Sequence, residues 1–132
     1  MLLPAVKILE LENVSKRFGD TVALDDVSFE VRPGEVFAFL GPNGSGKTTT
    51  LKSIVGLVRA SGGSVRVSGH DVETDGIAAK RQMSYLPQRV VFHETLTARE
   101  VIRFYAALRS LPAERAEAVL EESGLRPMAD KS

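Results

Sequence analysis

At 132 residues the chain is long enough for one small domain around one hydrophobic core. Hydrophobic residues make up 43% and charged residues 26%, a globular composition rather than a disordered one. Seventeen basic residues balance seventeen acidic ones, so the chain lacks the basic excess that broad capture of nucleic acid needs. Without cysteine there is neither a disulfide framework nor a thiolate metal site. The two histidines, His70 and His93, lie far apart and without ligand-like spacing.

The opening Met1-Leu2-Leu3-Pro4-Ala5-Val6-Lys7 has neither the charged n-region nor the apolar stretch of a signal peptide. No apolar run approaches the ~20 residues that span a bilayer. A soluble, cytoplasmic chain is expected. Leu9 and Leu11 alternate with Glu10 and Glu12, the period of a strand with one wet face. Val27, Phe29 and Val31 alternate with Ser28, Glu30 and Arg32 in the same way, and Pro33-Gly34 then turns the chain. The two segments read as an antiparallel pair, with Ala23-Leu24-Asp25-Asp26 read as a turn.

Val36-Phe37-Ala38-Phe39-Leu40 is continuously apolar, as in a strand covered on both faces of a parallel sheet. A glycine-rich loop follows, and then Leu51, Ile54, Val55 and Val58 at the spacing of one helical stripe. Gly62-Gly63 interrupts the chain. Val65 and Val67 predict a short strand ending at Ser68-Gly69, and Met83 to Leu86 another. Thr97 with Glu100 forms a capping-box signature ahead of a stripe at Val101, Ile102, Tyr105 and Leu108. Pro112 suits the start of a second helix striped by Ala116, Val119 and Leu120, and Gly124 suits its C-cap.

The loop reads Gly41-Pro42-Asn43-Gly44-Ser45-Gly46-Lys47-Thr48-Thr49 and fits the phosphate-binding pattern G-x-x-x-x-G-K-[ST]. Glycines 41, 44 and 46 let the backbone curl so that its N–H groups point at phosphate oxygens. Lys47 can span the β- and γ-phosphates, Thr48 offers a hydroxyl to Mg²⁺, and the helix starting there turns its positive end to the anion. A glycine-rich turn that merely joins strand to helix is the plain alternative. The apolar strand before it and the amphipathic helix after it favour phosphate binding. Transfer chemistry also needs a carboxylate on Mg²⁺ and a group that orients water. Glu121 and Glu122 sit in helical spacing and read as a solvated face, so no catalytic carboxylate is evident.

These residues resemble the N-terminal portion of an ATP-binding cassette (ABC) ATPase subunit, from about Ile8 to the C-terminus. The opening Leu11-Glu12-Asn13-Val14-Ser15-Lys16-Arg17-Phe18-Gly19 resembles the family's first strand and A-loop. Val22 to Phe29 resembles the approach to the phosphate loop, and Tyr85-Leu86-Pro87-Gln88 resembles the Q-loop. The resemblance implies that Phe18 stacks on adenine and that Gln88 contacts Mg²⁺ and the attacking water. Taken singly, Phe18 reads as a core or edge aromatic and Gln88 as a surface residue. Leu96-Thr97-Ala98-Arg99-Glu100 and Phe104-Tyr105 resemble subunits that energise ABC-2-type permeases, including drug exporters and copper-processing ATPases.

The implied fold is an α/β P-loop NTPase core in truncated form. Its expected parts are an antiparallel β subdomain over about 6–34, a P-loop βα unit over 35–60, short strands and the Q-loop over 61–95, and the start of a helical subdomain over 96–132. ATP and Mg²⁺ are the implied cofactors. A membrane permease and a second nucleotide-binding subunit are the implied partners, at the inner face of the membrane, and no nucleic acid is expected. The family's signature motif, Walker B carboxylates and switch histidine do not occur in the sequence, so these residues alone are expected to bind ATP without turnover. A non-catalytic nucleotide-binding module and a non-transport ABC protein acting on ribosome or DNA are the rival readings.

Overall fold

The computed structural model describes residues 7–92 and 95–131, so His93 lies outside the described residues. The chain divides into two compact units, Met1–Tyr85 and Leu86–Ser132.

The first unit is built on a four-stranded antiparallel sheet of order β2-β1-β3-β4. Strands β1 (Leu9–Phe18) and β2 (Thr21–Val31) pair as expected and run longer than their alternation suggests. They turn through Gly19 and Asp20, with Gly19 at a φ of 56°, the first-position glycine that favours a two-residue hairpin loop. Helix α1 (Lys47–Ile54) follows, then β3 (Gly62–Val67), the short β4 (His70–Asp71) and helix α2 (Gly76–Arg81). Leu11 pairs with Phe29 on one side and Val65 on the other. Leu11, Val14, Leu24, Ile54, Val65, Val67, Val72 and Ala79 form the buried cluster. The alternate face is wet, with Arg66 beside Glu12 at 3.1 Å and Lys7 beside Glu30 at 2.9 Å. Solvated pairs of this kind contribute little stability.

Three expectations change. Asp25 and Asp26 lie within β2, not in a turn. Asp26 adopts a φ of 51°, held by the Asn13 side-chain amide, which donates to its Oδ1 at 2.6 Å, and by its own N–H, which donates to Ser15 Oγ at 3.0 Å. The strand therefore carries an irregularity instead of ending. Gly62 and Gly63 do not interrupt the chain but begin β3. Gly63 has a φ of 80°, and a Cβ there would be built into the carbonyl oxygens of Glu12 and Asn13, so glycine permits that close backbone approach. The α1 stripe also differs. Thr50, Ser53 and Ile54 are its buried residues, Leu51 is exposed, and Val58 falls beyond the helix end.

The larger correction concerns residues 36–40, which form no strand. Phe37 stacks on Phe29 of β2 at 4.7 Å and Phe39 meets it edge-on at 5.3 Å. Val36 and Leu40 remain 98% and 92% exposed. A strand exists only where a second backbone completes its hydrogen bonds, and residues 36–40 take no place in the four-stranded sheet. Residues 83–86 are likewise without strand structure, although Met83 packs against the buried cluster.

In the second unit, helices α3 (Ala98–Leu108) and α4 (Ala113–Glu122) are followed by one 3₁₀ turn at Arg126–Met128. The capping box is present, with Thr97 accepting from the Glu100 N–H and Glu100 accepting from the Thr97 N–H at 2.8 Å. Helix α4 ends as expected. Gly124 at a φ of 70° donates to the Glu121 carbonyl and Leu125 to the Leu120 carbonyl, the paired closure of a Schellman motif. Ser110, at a φ of 54°, closes α3 in the same way. Ala106, Ala116, Leu120 and Ala129 are buried. Arg99 ties the helices together through Glu117 and through Asp130 at 2.7 Å.

Candidate nucleotide-binding site

Residues 41–49 form a loop that runs into the N-terminus of α1. Gly46 is the N-cap at a φ of 87° and provides no side-chain hydrogen bond, which leaves the amides of Lys47, Thr48 and Thr49 without helical acceptors. No acidic residue occupies the first turn, so the positive end of the helix dipole is uncompensated. Gly41 and Gly44 also take positive φ, 156° and 84°. The Ser45 N–H donates to the Pro42 carbonyl at 3.3 Å and tightens the curl.

The loop is fixed from below. A Cβ on Gly46 would lie 2.7 Å from the Ala23 carbonyl oxygen and 2.8 Å from a Leu24 methyl group. The buried Thr50 hydroxyl donates to the Gly46 carbonyl at 3.0 Å. Only glycine fits this contact between the loop and β2.

Lys47 closes the curl from within. Its Nζ donates to the carbonyls of Gly41 and Pro42, each at 2.6 Å, and reaches Ser45 Oγ at 3.4 Å. Two neutral carbonyls hold a full cation beside unsatisfied amides. Anionic oxygens would be stronger partners for both donor sets. The donors therefore fit the phosphates of a nucleotide, and Thr48, exposed at the same helix start, carries a hydroxyl of the kind that suits Mg²⁺. A cavity of about 560 Å³ elsewhere in this unit is lined by Ser53, Arg59, Asp71 and Glu73 and includes no loop residue.

A sequence profile described as ABC transporter matches residues 24–132. The chain belongs to the ABC transporter family. It is 36% identical over 126 residues to the linearmycin resistance ATP-binding protein LnrL of Bacillus subtilis, covering 92% of this chain and 40% of that protein. It is 33% identical over 130 residues to the probable multidrug ABC transporter ATP-binding protein YbhF of Escherichia coli, covering 96% and 22%. It is 35% identical over 130 residues to the Nod factor export ATP-binding protein I of Burkholderia pseudomallei, covering 96% and 43%. A solved structure described as the ATP-binding subunit of an ABC transporter matches with a TM-score of 0.81 and 32% identity, covering 92% of this chain and 52% of that one. The chain thus spans less than half the length of these three curated relatives.

The remaining site residues of this ABC chain are placed as follows. Phe18 ends β1 and is 51% exposed. It pairs with Thr21, while Lys16 pairs with Leu24, the residue whose methyl group meets Gly46. Phe18 therefore stands two residues along β1 from the loop contact, about 7 Å at 3.3 Å per residue, and a register shift between Lys16 and Arg17 takes up the extra residue on β2. Pro42, Asn43 and Ser45 are exposed on the loop, and Thr49 is half-buried. Gln88 is exposed on an irregular segment and belongs to the second unit. Glu121 and Glu122 lie on α4, ion-paired with Arg126 and Arg115 respectively. Among the described residues no group of three His, Cys, Asp or Glu side chains could hold a metal ion, and none of the helices is long and apolar enough to cross a membrane.

Lys16 carries no role in the motif reading, yet its ammonium lies 4.9 Å over the Phe18 ring. The signal was available in the sequence. Residues two apart on a strand share a face, and Lys16-Arg17-Phe18 has that spacing.

Proposed function

We propose that the loop 41–49 holds the phosphates of MgATP and that the chain is the nucleotide-anchoring part of an ABC transporter ATPase subunit. In this reading Lys47 leaves the carbonyls of Gly41 and Pro42 for the β- and γ-phosphates. The amides of residues 44–49 and the α1 dipole receive phosphate oxygens, with Pro42, Asn43 and Ser45 shaping the curl. Thr48 serves Mg²⁺ and Phe18 stacks on adenine; the Mg²⁺ and water role of Gln88 rests on the family resemblance alone. The metal supplies charge neutralisation at the phosphates; the protein supplies orientation.

One observation carries the proposal. A lysine ammonium is held by two carbonyls inside a curl of glycines at an uncapped helix start. Phe18 supports the adenine assignment, since it is a half-exposed aromatic two residues along β1 from Lys16, the cross-strand partner of the Leu24 that meets the loop. The relatives' names support the wider role, because each is an ATP-binding protein tied by name to export, multidrug transport or resistance. By that likeness the parent protein couples ATP binding and hydrolysis to transport by a membrane permease, alongside a second nucleotide-binding subunit.

Phosphate release by purified protein tests the catalytic half of this reading. The 132-residue chain offers Gly41 to Thr49 and Gln88 but no carboxylate to polarise water. Positioned groups supply most phosphoryl-transfer catalysis, so it is expected to release no phosphate above background. A longer polypeptide carrying a signature motif and Walker B carboxylates is expected to turn over in a Lys47-dependent way. Sustained Lys47-dependent release from the short chain would contradict the assignment and return Glu121 and Glu122 to consideration.

A further inference from the structure

We propose that Lys16 competes with the nucleotide base for one face of Phe18 and so sets how strongly the site recognises a base relative to a bare polyphosphate. The proposal rests on the reading of Phe18 as the base platform. Lys16 and Phe18 alternate on β1 and share one face of the sheet. The β2 partner of Lys16 is Leu24, and cross-strand partners point to the same side. Leu24 is the side chain against which Gly46 of the phosphate loop packs. Lys16 therefore occupies the stretch of sheet between the loop and Phe18, and its Nζ covers the ring at 4.9 Å.

A base whose phosphates lie in the loop reaches Phe18 across that same stretch and meets the face that the ammonium covers. The ring is half-exposed, so the cation holds it by an attraction to the π face that water weakens but does not remove. Among the described residues Lys16 forms no ion pair with a carboxylate that would draw it elsewhere. Stacking the base requires Lys16 to leave, and that displacement opposes binding of the nucleoside part alone. A ligand without a base has no such step.

The test compares affinities for MgATP and for magnesium tripolyphosphate by calorimetry on the full chain, in wild type, Lys16→Met and Lys16→Gln. Melting temperatures near wild type are established first, and the two variants guard against failure of either one. Removal of the cation is expected to raise the preference for MgATP over tripolyphosphate roughly two- to fivefold, the range of an exposed cation–π contact. In a Phe18→Ala background the same substitutions are expected to leave the preference unchanged. A preference that stays constant in both Lys16 variants overturns the proposal. So does a selective loss of tripolyphosphate binding, which would make Lys16 a phosphate ligand. Phe18→Ala alone separates the two levels: if it leaves MgATP affinity at the wild-type value, the stacking assignment of Phe18 fails, whatever Lys16 does.

Discussion

Phe18 tests the site at the scale of one side chain. Stacking tolerates any base, since every base has a π face, and comparable contacts contribute about 1–3 kcal/mol. Phe18→Ala is expected to weaken MgATP and MgGTP together, by similar factors, in a direct titration. Unchanged affinity for both would make Phe18 an edge aromatic of the hairpin and nothing more. The loop glycines divide in a second way. Gly46 combines a φ of 87° with backbone at 2.7 Å, whereas Gly44 has a φ of 84° but open space around it. Left-handed backbone costs a side chain about 1–2 kcal/mol. Gly44→Ala should lose about that much stability, and Gly46→Ala visibly more, because the loop must also lift from Ala23. Equal melting temperatures for the two variants would show that the contact with β2 is unimportant.

Among the elements, legibility followed the range of the interactions involved. The capping box at Thr97 and Glu100, the closure at Gly124 and the curl of the phosphate loop depend on residues within a few positions, and each was readable from spacing. Residues 36–40 were misread because hydrophobicity reports a need for cover, while strand formation depends on a distant backbone. Asp26 was misread for a similar reason: Asn13, thirteen residues away in sequence, holds the unusual dihedral. Strand β4 and helix α2 are too short to show a period. The roles proposed for Phe18 and Gln88 come from family resemblance and could not have been derived from composition.

The Arg99 clamp yields a pH prediction for α3 and α4. Arg99 holds the carboxyls of Glu117 and Asp130 below their ordinary values of 4.5 and 3.8. A depressed carboxyl stabilises the fold above its unfolded pKa, and that stability is lost as pH falls through the folded value. The second unit should therefore lose stability from about pH 4.5 downward, and Arg99→Gln should flatten that loss. Identical acid profiles, read by amide exchange on α3 and α4, would remove Arg99 as the cause.

For the molecule as a whole, Val36 and Leu40 leave an apolar run bare beside the phosphate loop. Surfaces of this kind seek partners. Sedimentation of the chain should show association that Val36→Thr with Leu40→Thr reduces while MgATP binding persists. Association unaltered by the pair would place the sticky surface elsewhere.

The decisive titration is MgATP against wild type and Lys47→Ala, read by calorimetry with both proteins shown to be folded. A charge-assisted contact to phosphate contributes about 1.5–3 kcal/mol, so the variant is expected to bind at least about tenfold more weakly. Equal affinity in the two proteins would contradict the assignment of Lys47 and, with it, the phosphate-binding role of the loop.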